Sequence, residues 1–157
     1  MNARNISVLL AAVVSLVLCV EQPCLAEVGA EENFRVGLEL LKENKLDEAI
    51  TQFEKAVEKG PSKAEHYERL GLAYSKKHMW KEALEAYTKS LELDPNNVHV
   101  HNNLGVLYDA RGMFGEAVAQ YKKAIEIDPS YVEAYNNLAV TYMRGGRTEE
   151  ADKTLQK

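Results

Sequence analysis

Cysteine is scarce in this sequence: the 157 residues include two, Cys19 and Cys24, and both lie within the first 26 positions. The rest of the chain can therefore form no disulfide, and it offers no thiolate for catalysis or for a metal site. Long runs of one charge are also missing, because 19 basic and 24 acidic residues are interspersed to give a net charge of −5. A nucleic-acid partner, which needs a basic face, is not expected.

Catalytic signatures are lacking as well. The sequence contains no glycine-rich phosphate loop, no nucleophile elbow and no HExxH motif. Of the four histidines, His99 and His101 are two residues apart. On a helix this spacing turns them about 160° away from each other, so they cannot share a metal ion. The sequence therefore predicts a non-catalytic protein with no metal and no other cofactor.

One long apolar run is present, and it covers residues 6–20. It follows a short segment that carries Arg4, and it precedes Pro23 and the small residues Cys24 and Ala26. These are the three parts of a secretory signal peptide, with cleavage expected after Ala26. As a helix the run would span about 22 Å, less than the roughly 30 Å of a bilayer core, which favours cleavage over anchoring.

We therefore expect residues 1–26 to direct export, into a bacterial periplasm. If this segment stayed attached, it would instead anchor the protein in the inner membrane, facing the periplasm. A membrane contact is expected only in that case.

After residue 26 the sequence repeats itself every 34 residues. A proline, a glycine, an alanine and a tyrosine each recur at this spacing. The recurring residues are Pro61, Pro95 and Pro129; Gly37, Gly71 and Gly105; Ala49, Ala83, Ala117 and Ala151; and Tyr74, Tyr108 and Tyr142. The copies cover residues 30–63, 64–97, 98–131 and 132–157, and the last copy is incomplete.

Each copy predicts two helices. In the first helix, Leu70, Gly71 and Tyr74 fall on one face, which predicts a packed core with the tyrosines inside it. A glycine within a helix costs about 1 kcal/mol relative to alanine. Its recurrence at one position predicts that another element approaches closely there. The first helix is expected to end at residues that tolerate positive φ. These residues are Asn44, His78, Gly112 and Gly146.

The stretches "YNNLAVTYMRGGRTEEA" from Tyr135 and "NNLGVLY…EAVAQYKKAIEIDP" from Asn102 closely resemble the tetratricopeptide repeat family. The resemblance covers residues 30–157. It implies an all-α fold, a right-handed α-solenoid of about 3.7 helix-turn-helix repeats. Neighbouring repeats stack in such a solenoid because one helix pair cannot bury its apolar face alone. The resemblance also implies that the first helices line a concave groove.

The face of each first helix opposite the core is predicted to line this groove. At 100° per residue, positions 2, 5, 6, 9, 12 and 13 of each copy point that way. Position 6 carries long donors or amides, and position 9 is apolar although the fold needs no apolar residue there. The predicted peptide-binding residues are Arg35, Leu38, Arg69, Leu72, Asn103, Val106, Asn137 and Val140.

An asparagine amide offers both an acceptor and donors, so it can match one peptide unit of an extended chain. Asn103 and Asn137 resemble the asparagine ladders in the repeats of O-linked N-acetylglucosamine transferase and of kinesin light chain. Arg35 and Arg69 depart from that pattern. Arginine only donates, so the first half of the groove is expected to prefer carbonyl or carboxylate groups. Asn102 is expected at the groove margin, in contact with solvent.

These observations predict a protein–protein interaction scaffold that binds an extended peptide or a helix of a partner protein in its groove. The alternative is an assembly subunit of an envelope complex, such as secretion, pilus or cytochrome maturation machinery. Such a subunit would dock by its convex face or its open end. Because the fourth copy stops within its second helix, that end is also a candidate surface for self-association.

Overall fold

The structure is a computed structural model that describes residues 27–60 and 63–156. These residues form eight helices and no strand, so the all-α prediction is confirmed. The helices are α1 (27–42), α2 (Leu46–Lys59), α3 (Ala64–Lys76), α4 (Trp80–Leu93), α5 (Val98–Ala110), α6 (Phe114–Ile127), α7 (Val132–Arg144) and α8 (Thr148–Leu155). The predicted signal peptide, residues 1–26, lies outside the described residues. In the described part, no helix is long and apolar enough to span a bilayer.

The chain divides into two compact units, one up to residue 62 and the other from residue 63 onward. In the second unit, α3 packs on α4, α5 on α6, and α7 on α8. Contacts of α4 with α5 and of α6 with α7 join each helix pair to the next. The first helices of these pairs begin 34 residues apart, at Ala64, Val98 and Val132. The unit is therefore an α-solenoid of stacked helix pairs.

The first helix of each repeat ends at a residue with positive φ. The φ angles are 58° for Asn44, 59° for His78, 72° for Gly112 and 74° for Gly146. At His78, the backbone N–H donates to the carbonyl of Ser75 at 3.0 Å, which closes the last turn of α3. The helix-ending role predicted for these four residues is confirmed.

The recurring glycine makes room for an aromatic ring from the second helix of the same repeat. A Cβ added at Gly71 would lie 2.7 Å from the Tyr87 ring, and one at Gly105 would lie 2.4 Å from the Tyr121 ring. In the first unit, a Cβ at Gly37 would lie 2.6 Å from Phe53. Cβ atoms do not approach carbon that closely in a packed interior, so the predicted close approach is confirmed.

Two apolar clusters hold the second unit together. One joins Ala83 and Tyr87 of α4 to the inner face of α5, and the other joins α6, α7 and α8 around Tyr121. Burial is the main cause that raises the pKa of Tyr87 and of Tyr121 above the ordinary value, so both phenols stay protonated. Trp80 also packs against the first cluster.

The first unit has a small aromatic core of its own. The rings of Phe34 on α1 and Phe53 on α2 lie 5.7 Å apart between centroids, and both side chains are buried. Ala30, Ala49 and Ala56 are buried as well. The helix pair therefore packs in the same way as the later pairs, with phenylalanine in place of tyrosine.

Candidate peptide-binding groove

Six of the eight predicted groove residues lie on the first helices of the second unit. Arg69 and Leu72 are on α3, and α5 and α7 each carry an asparagine and a valine at the matching positions. Because α5 contacts both α3 and α7, the structure brings these residues onto neighbouring helices. Together they are called the groove face: Arg69, Leu72, Asn103, Val106, Asn137 and Val140. The remaining two predicted residues, Arg35 and Leu38, lie on α1 in the first unit.

The apolar column of the groove face is open to solvent. Val106 is 43% exposed and Val140 is 47% exposed, and Met143 on the same helix as Val140 is exposed too. Leu72, one repeat earlier, is half-buried. Single exposed apolar residues are common, but a column of them on adjacent helices is a feature of binding surfaces.

The two amides of the groove face differ in their contacts. Asn137 Nδ2 donates to Asn102 Oδ1 at 3.0 Å, so one of its hydrogens is used within the protein. The side chain of Asn103 makes no hydrogen bond within the part of the chain that the structure describes. Both residues are half-buried, so each amide retains access to solvent.

The expectation for Asn102 was wrong: this residue is 1% exposed and does not lie in solvent. Its Nδ2 donates to Glu133 Oε1 at 3.2 Å, and its Oδ1 accepts from Asn137. The side chain points from α5 into the junction with α7, where a neighbouring repeat covers it. Direction around a single helix could not reveal this, although an amide on one repeat and a carboxylate on the next are complementary.

Position 5 was wrongly placed on the groove surface in the first three repeats, whereas Asn136, the position-5 residue of the fourth, is exposed. Glu68, the position-5 residue of α3, is buried and accepts a hydrogen bond from Asn97 Nδ2 at 3.0 Å. Asn97 is also the N-cap of α5, where its Oδ1 accepts from the backbone N–H of Val100 at 3.1 Å. In the first unit, Phe34 occupies position 5 and is part of the core.

Glu133 collects hydrogen bonds from two sides. Besides Asn102, Tyr131 donates its hydroxyl to Glu133 Oε2 at 2.9 Å. Partial burial, followed by this contact with Glu133, raises the pKa of Tyr131 to about 12. His99 stands edge-on to the Tyr131 ring at 5.4 Å, with Nδ1 3.3 Å from the hydroxyl. Glu133 therefore has an internal hydrogen-bond donor at each carboxylate oxygen, while its side chain stays exposed.

A second internal pair lies beside the apolar column. Asp109 on α5 accepts from Thr141 Oγ1 at 3.1 Å and forms an ion pair with Arg144 on α7. Arg144 also lies over the Phe114 ring, at 5.4 Å from its centroid. Asp109 and Arg144, which adjoin the groove face, thus neutralise each other.

The arginines of position 6 also face carboxylates of their own helices. Arg69 lies 3.7 Å from the Glu68 carboxylate, and the exposed Arg35 lies 2.8 Å from that of Glu32 on α1. An acidic partner would compete with these intramolecular pairs. The preference predicted for the first half of the groove stays a prediction.

Two of the histidines, His101 and His66, are buried in the second unit. The ring nitrogens of His101 lie 2.8 Å from Gln120 Oε1 and 3.2 Å from the carbonyl oxygen of Pro95. Within residues 27–60 and 63–156, no cluster of three or more histidine, aspartate or glutamate side chains has the arrangement of a metal site.

A family model described as TPR repeat matches residues 37–77 and 107–146, more than half of the chain. The chain belongs to the tetratricopeptide repeat family. Two further models described as tetratricopeptide repeat match residues 64–97 and 86–119 of this TPR protein. Proteins of this family are generally non-catalytic interaction scaffolds.

Solved TPR structures resemble the protein over most of its length. A crystal structure of MamA matches with a TM-score of 0.76 and 26% identity, covering 81% of this chain and 74% of MamA. YrrB, a TPR protein with an unusual peptide-binding site, matches with a TM-score of 0.70 and 28% identity over 81% of this chain and 66% of its own.

The first TPR of Spaghetti (RPAP3), solved with the HSP90 peptide SRMEEVD, has a TM-score of 0.72 and 21% identity. The match covers 76% of this chain and 95% of that domain, and at this identity it shows the fold alone. No curated protein sequence matches the chain.

Proposed function

We propose that this protein is a non-catalytic scaffold that binds an extended segment of a partner protein on the groove face. The observation that carries the proposal is the open apolar column beside two amides on adjacent helices. An extended segment offers both kinds of partner: side chains for Val106 and Val140, and peptide groups for Asn103 and Asn137. The peptide-binding site of YrrB supports this class of function for a TPR protein at this level of identity.

The contacts available are enough for a moderate affinity. Each neutral hydrogen bond contributes about 0.5–1.5 kcal/mol. Covering the exposed valines and Met143 adds roughly 25 cal/mol for each Å² of apolar surface removed from water. A complex that relied on these contacts alone would reach micromolar affinity at most, because association also costs translational and rotational freedom.

The charges beside the groove face disfavour an acidic segment between α5 and α7. Asp109 is paired with Arg144, whereas the exposed Glu133 accepts only from neutral donors, which leave its charge in place. An acidic side chain of a partner would lose hydration there and face this negative charge without a free counterion. We infer that the segment bound at α5 and α7 carries apolar, small polar or basic side chains.

The proposal is tested by recovery of the partner from the fraction in which the protein resides. Tagged protein with Asn103→Ala and Asn137→Ala combined should lose its main partner, because both peptide-binding amides are removed. The matched control is Asn96→Ala, since Asn96 is an exposed asparagine in the turn between α4 and α5, outside the groove face. Equal recovery by the double variant and the control would contradict groove binding.

Export remains part of the proposal. If residues 1–26 are removed as a signal peptide, the intact mass of the secreted species should begin at Glu27. A species that begins at Met1 would favour the inner-membrane anchor facing the periplasm. The measurement is intact-mass spectrometry of protein purified from its own cell envelope.

The alternative role as an assembly subunit of an envelope complex draws on one exposed side chain. Leu155 on α8 is 57% exposed, and a neighbour docked at that end would cover it. Leu155→Asp should then release the protein from a larger detergent-solubilised complex, with the groove-face residues unchanged. Migration unaffected by this substitution would argue against docking or self-association at that end.

A further inference from the structure

Three side chains at the junction of α5 and α7 form one chain of hydrogen bonds. Asn137 Nδ2 donates to Asn102 Oδ1 at 3.0 Å, and Asn102 Nδ2 donates to Glu133 Oε1 at 3.2 Å. The hydroxyl of Tyr131 holds the second oxygen of Glu133 at 2.9 Å. Because Asn102 is buried, water cannot replace either of its two bonds.

Glu133 sets the direction of this chain. A glutamate carboxylate at neutral pH only accepts hydrogen bonds. Asn102 must therefore turn Nδ2 toward Glu133 and Oδ1 toward Asn137. Asn137 must in turn donate a hydrogen bond from its own Nδ2 to that oxygen. An asparagine amide otherwise has two orientations of nearly the same shape, 180° apart. In this junction, the second orientation of Asn102 would place its oxygen against the carboxylate.

Asn103 provides the contrast, because it occupies the same repeat position as Asn137. Its side chain has no hydrogen-bond partner in the described residues, so nothing selects one orientation of its amide. For Asn137, the groups left for a partner are Oδ1 and the second hydrogen of Nδ2. The groove face thus has one amide that can turn and one that is held.

We propose that Glu133 and Asn102 are positioning residues that hold Asn137 with its carbonyl oxygen available to the partner. This inference rests on the proposed function, and it specifies the group that the bound segment must supply there. That group is an N–H donor, which a backbone peptide provides at every residue except proline. The segment bound at α7 should therefore have a free backbone N–H at the residue that meets Asn137.

The first test needs no partner and uses a double-mutant cycle. Asn137→Asp places a carboxylate against Oδ1 of Asn102, and Asn102 cannot turn while Glu133 remains. Glu133→Gln supplies an amide that can donate, so Asn102 can turn and meet the new Asp with its Nδ2. We expect Asn137→Asp to lower Tm by about 4 °C in the natural background and by about 1 °C in the Glu133→Gln background.

The cycle is measured in 1 M salt, where the Debye length is about 3 Å. At this salt concentration, long-range repulsion between the carboxylates at positions 133 and 137 is suppressed. Glu116→Gln is the matched control, since Glu116 is an exposed acidic residue in the first turn of α6, as Glu133 is in α7. It should leave the Asn137→Asp loss unchanged. Equal losses in the natural and Glu133→Gln backgrounds would overturn the positioning role.

The second test uses a dodecapeptide selected on the natural protein from a random phage-displayed library. The peptide is retained if Asn137→Ala weakens its binding, and each backbone nitrogen is then methylated in turn. We expect one methylated position to weaken binding to the natural protein about tenfold. The same methylation should weaken binding to the Glu133→Gln variant about threefold, because the Asn137 amide of that variant can turn and depends less on this N–H. Equal weakening of both proteins at every position would overturn the proposal.

The two tests separate the inference from the function on which it rests. If no selected peptide depends on Asn137, groove binding and the required N–H are both refuted, while the double-mutant cycle still decides whether Glu133 orients the amide. If peptides depend on Asn137 and the cycle shows no coupling, the groove is used but Glu133 and Asn102 do not position it.

Discussion

The third and fourth repeats have similar first helices, yet the packing beneath them differs. In the third repeat, Gly105 leaves space for the Tyr121 ring, which is buried. In the fourth, Ala139 stands at the glycine position, and the residue 34 after Tyr121 is the exposed Leu155. The repeat position therefore lacks a Cβ where an aromatic ring packs against it, as at Gly105, and carries one where no ring is present, as at Ala139. The comparison shows that the glycine serves packing and not the helix.

The largest effect is expected when the third repeat is given the residue of the fourth. Gly105→Ala should lower the free energy of unfolding by about 3 kcal/mol, because the new Cβ would overlap the Tyr121 ring. The measurement is urea unfolding followed by circular dichroism. Gly115→Ala is the control, since nothing lies within 4 Å of a Cβ at Gly115 in α6. That variant should gain roughly 0.5 kcal/mol from helix propensity, and a loss equal to that of Gly105→Ala would refute the packing explanation.

A second difference concerns neighbours in one helix of the third repeat, Asn102 and Asn103. Asn102→Ala should cost about 2 kcal/mol of stability, because it removes both hydrogen bonds of a fully buried side chain and leaves a void in its place. Asn103→Ala should change stability by less than about 0.5 kcal/mol, since its side chain has no bond to lose in the described residues. Thermal unfolding of both variants tests the contrast, and similar losses would contradict the assignment of Asn102 to the junction.

The smallest effect on stability is expected at the positive-φ residue that ends the first helix, which is asparagine in the first repeat and glycine in the third. Gly112 in the third repeat has a φ of 72°, whereas Asn44 in the first has a φ of 58°. Gly112→Ala should cost about 1 kcal/mol, because a Cβ disfavours this region. Asn44→Gly should stay within about 0.5 kcal/mol, since asparagine already tolerates it. Unfolding in urea measures both, and equal costs would mean that the turns are held by other contacts.

The sequence was informative wherever a feature belongs to a single repeat. Periodicity predicted the helix pairs, the close approach at Gly71 and Gly105, and the positive φ at His78 and Gly112, all of which the structure confirms. Each depends on backbone conformation or on packing within one helix pair. A 34-residue period repeats such local requirements, so several copies support the same prediction.

Features between repeats were harder to predict. Asn102 and Glu68 were placed on the groove surface because direction around one helix was the only guide. Their burial depends on what lies beyond their own helix pair: Glu133 of the next repeat for Asn102, and Asn97, the N-cap of α5, for Glu68. These contacts vary from copy to copy, so the period carries no signal for them. The groove residues themselves stay a prediction, since their exposure shows availability rather than use.

The central claim is that a partner binds the groove face, and site-specific photocrosslinking tests it most directly. A photoreactive phenylalanine analogue would replace Val106 or Val140 in the full chain inside the cell. The same analogue at Leu93 of α4, which is 49% exposed, is the control of matched exposure outside the groove face. Binding at the groove face predicts one partner crosslinked from both valine positions and none from Leu93. A crosslink from Leu93 with none from either valine would contradict it.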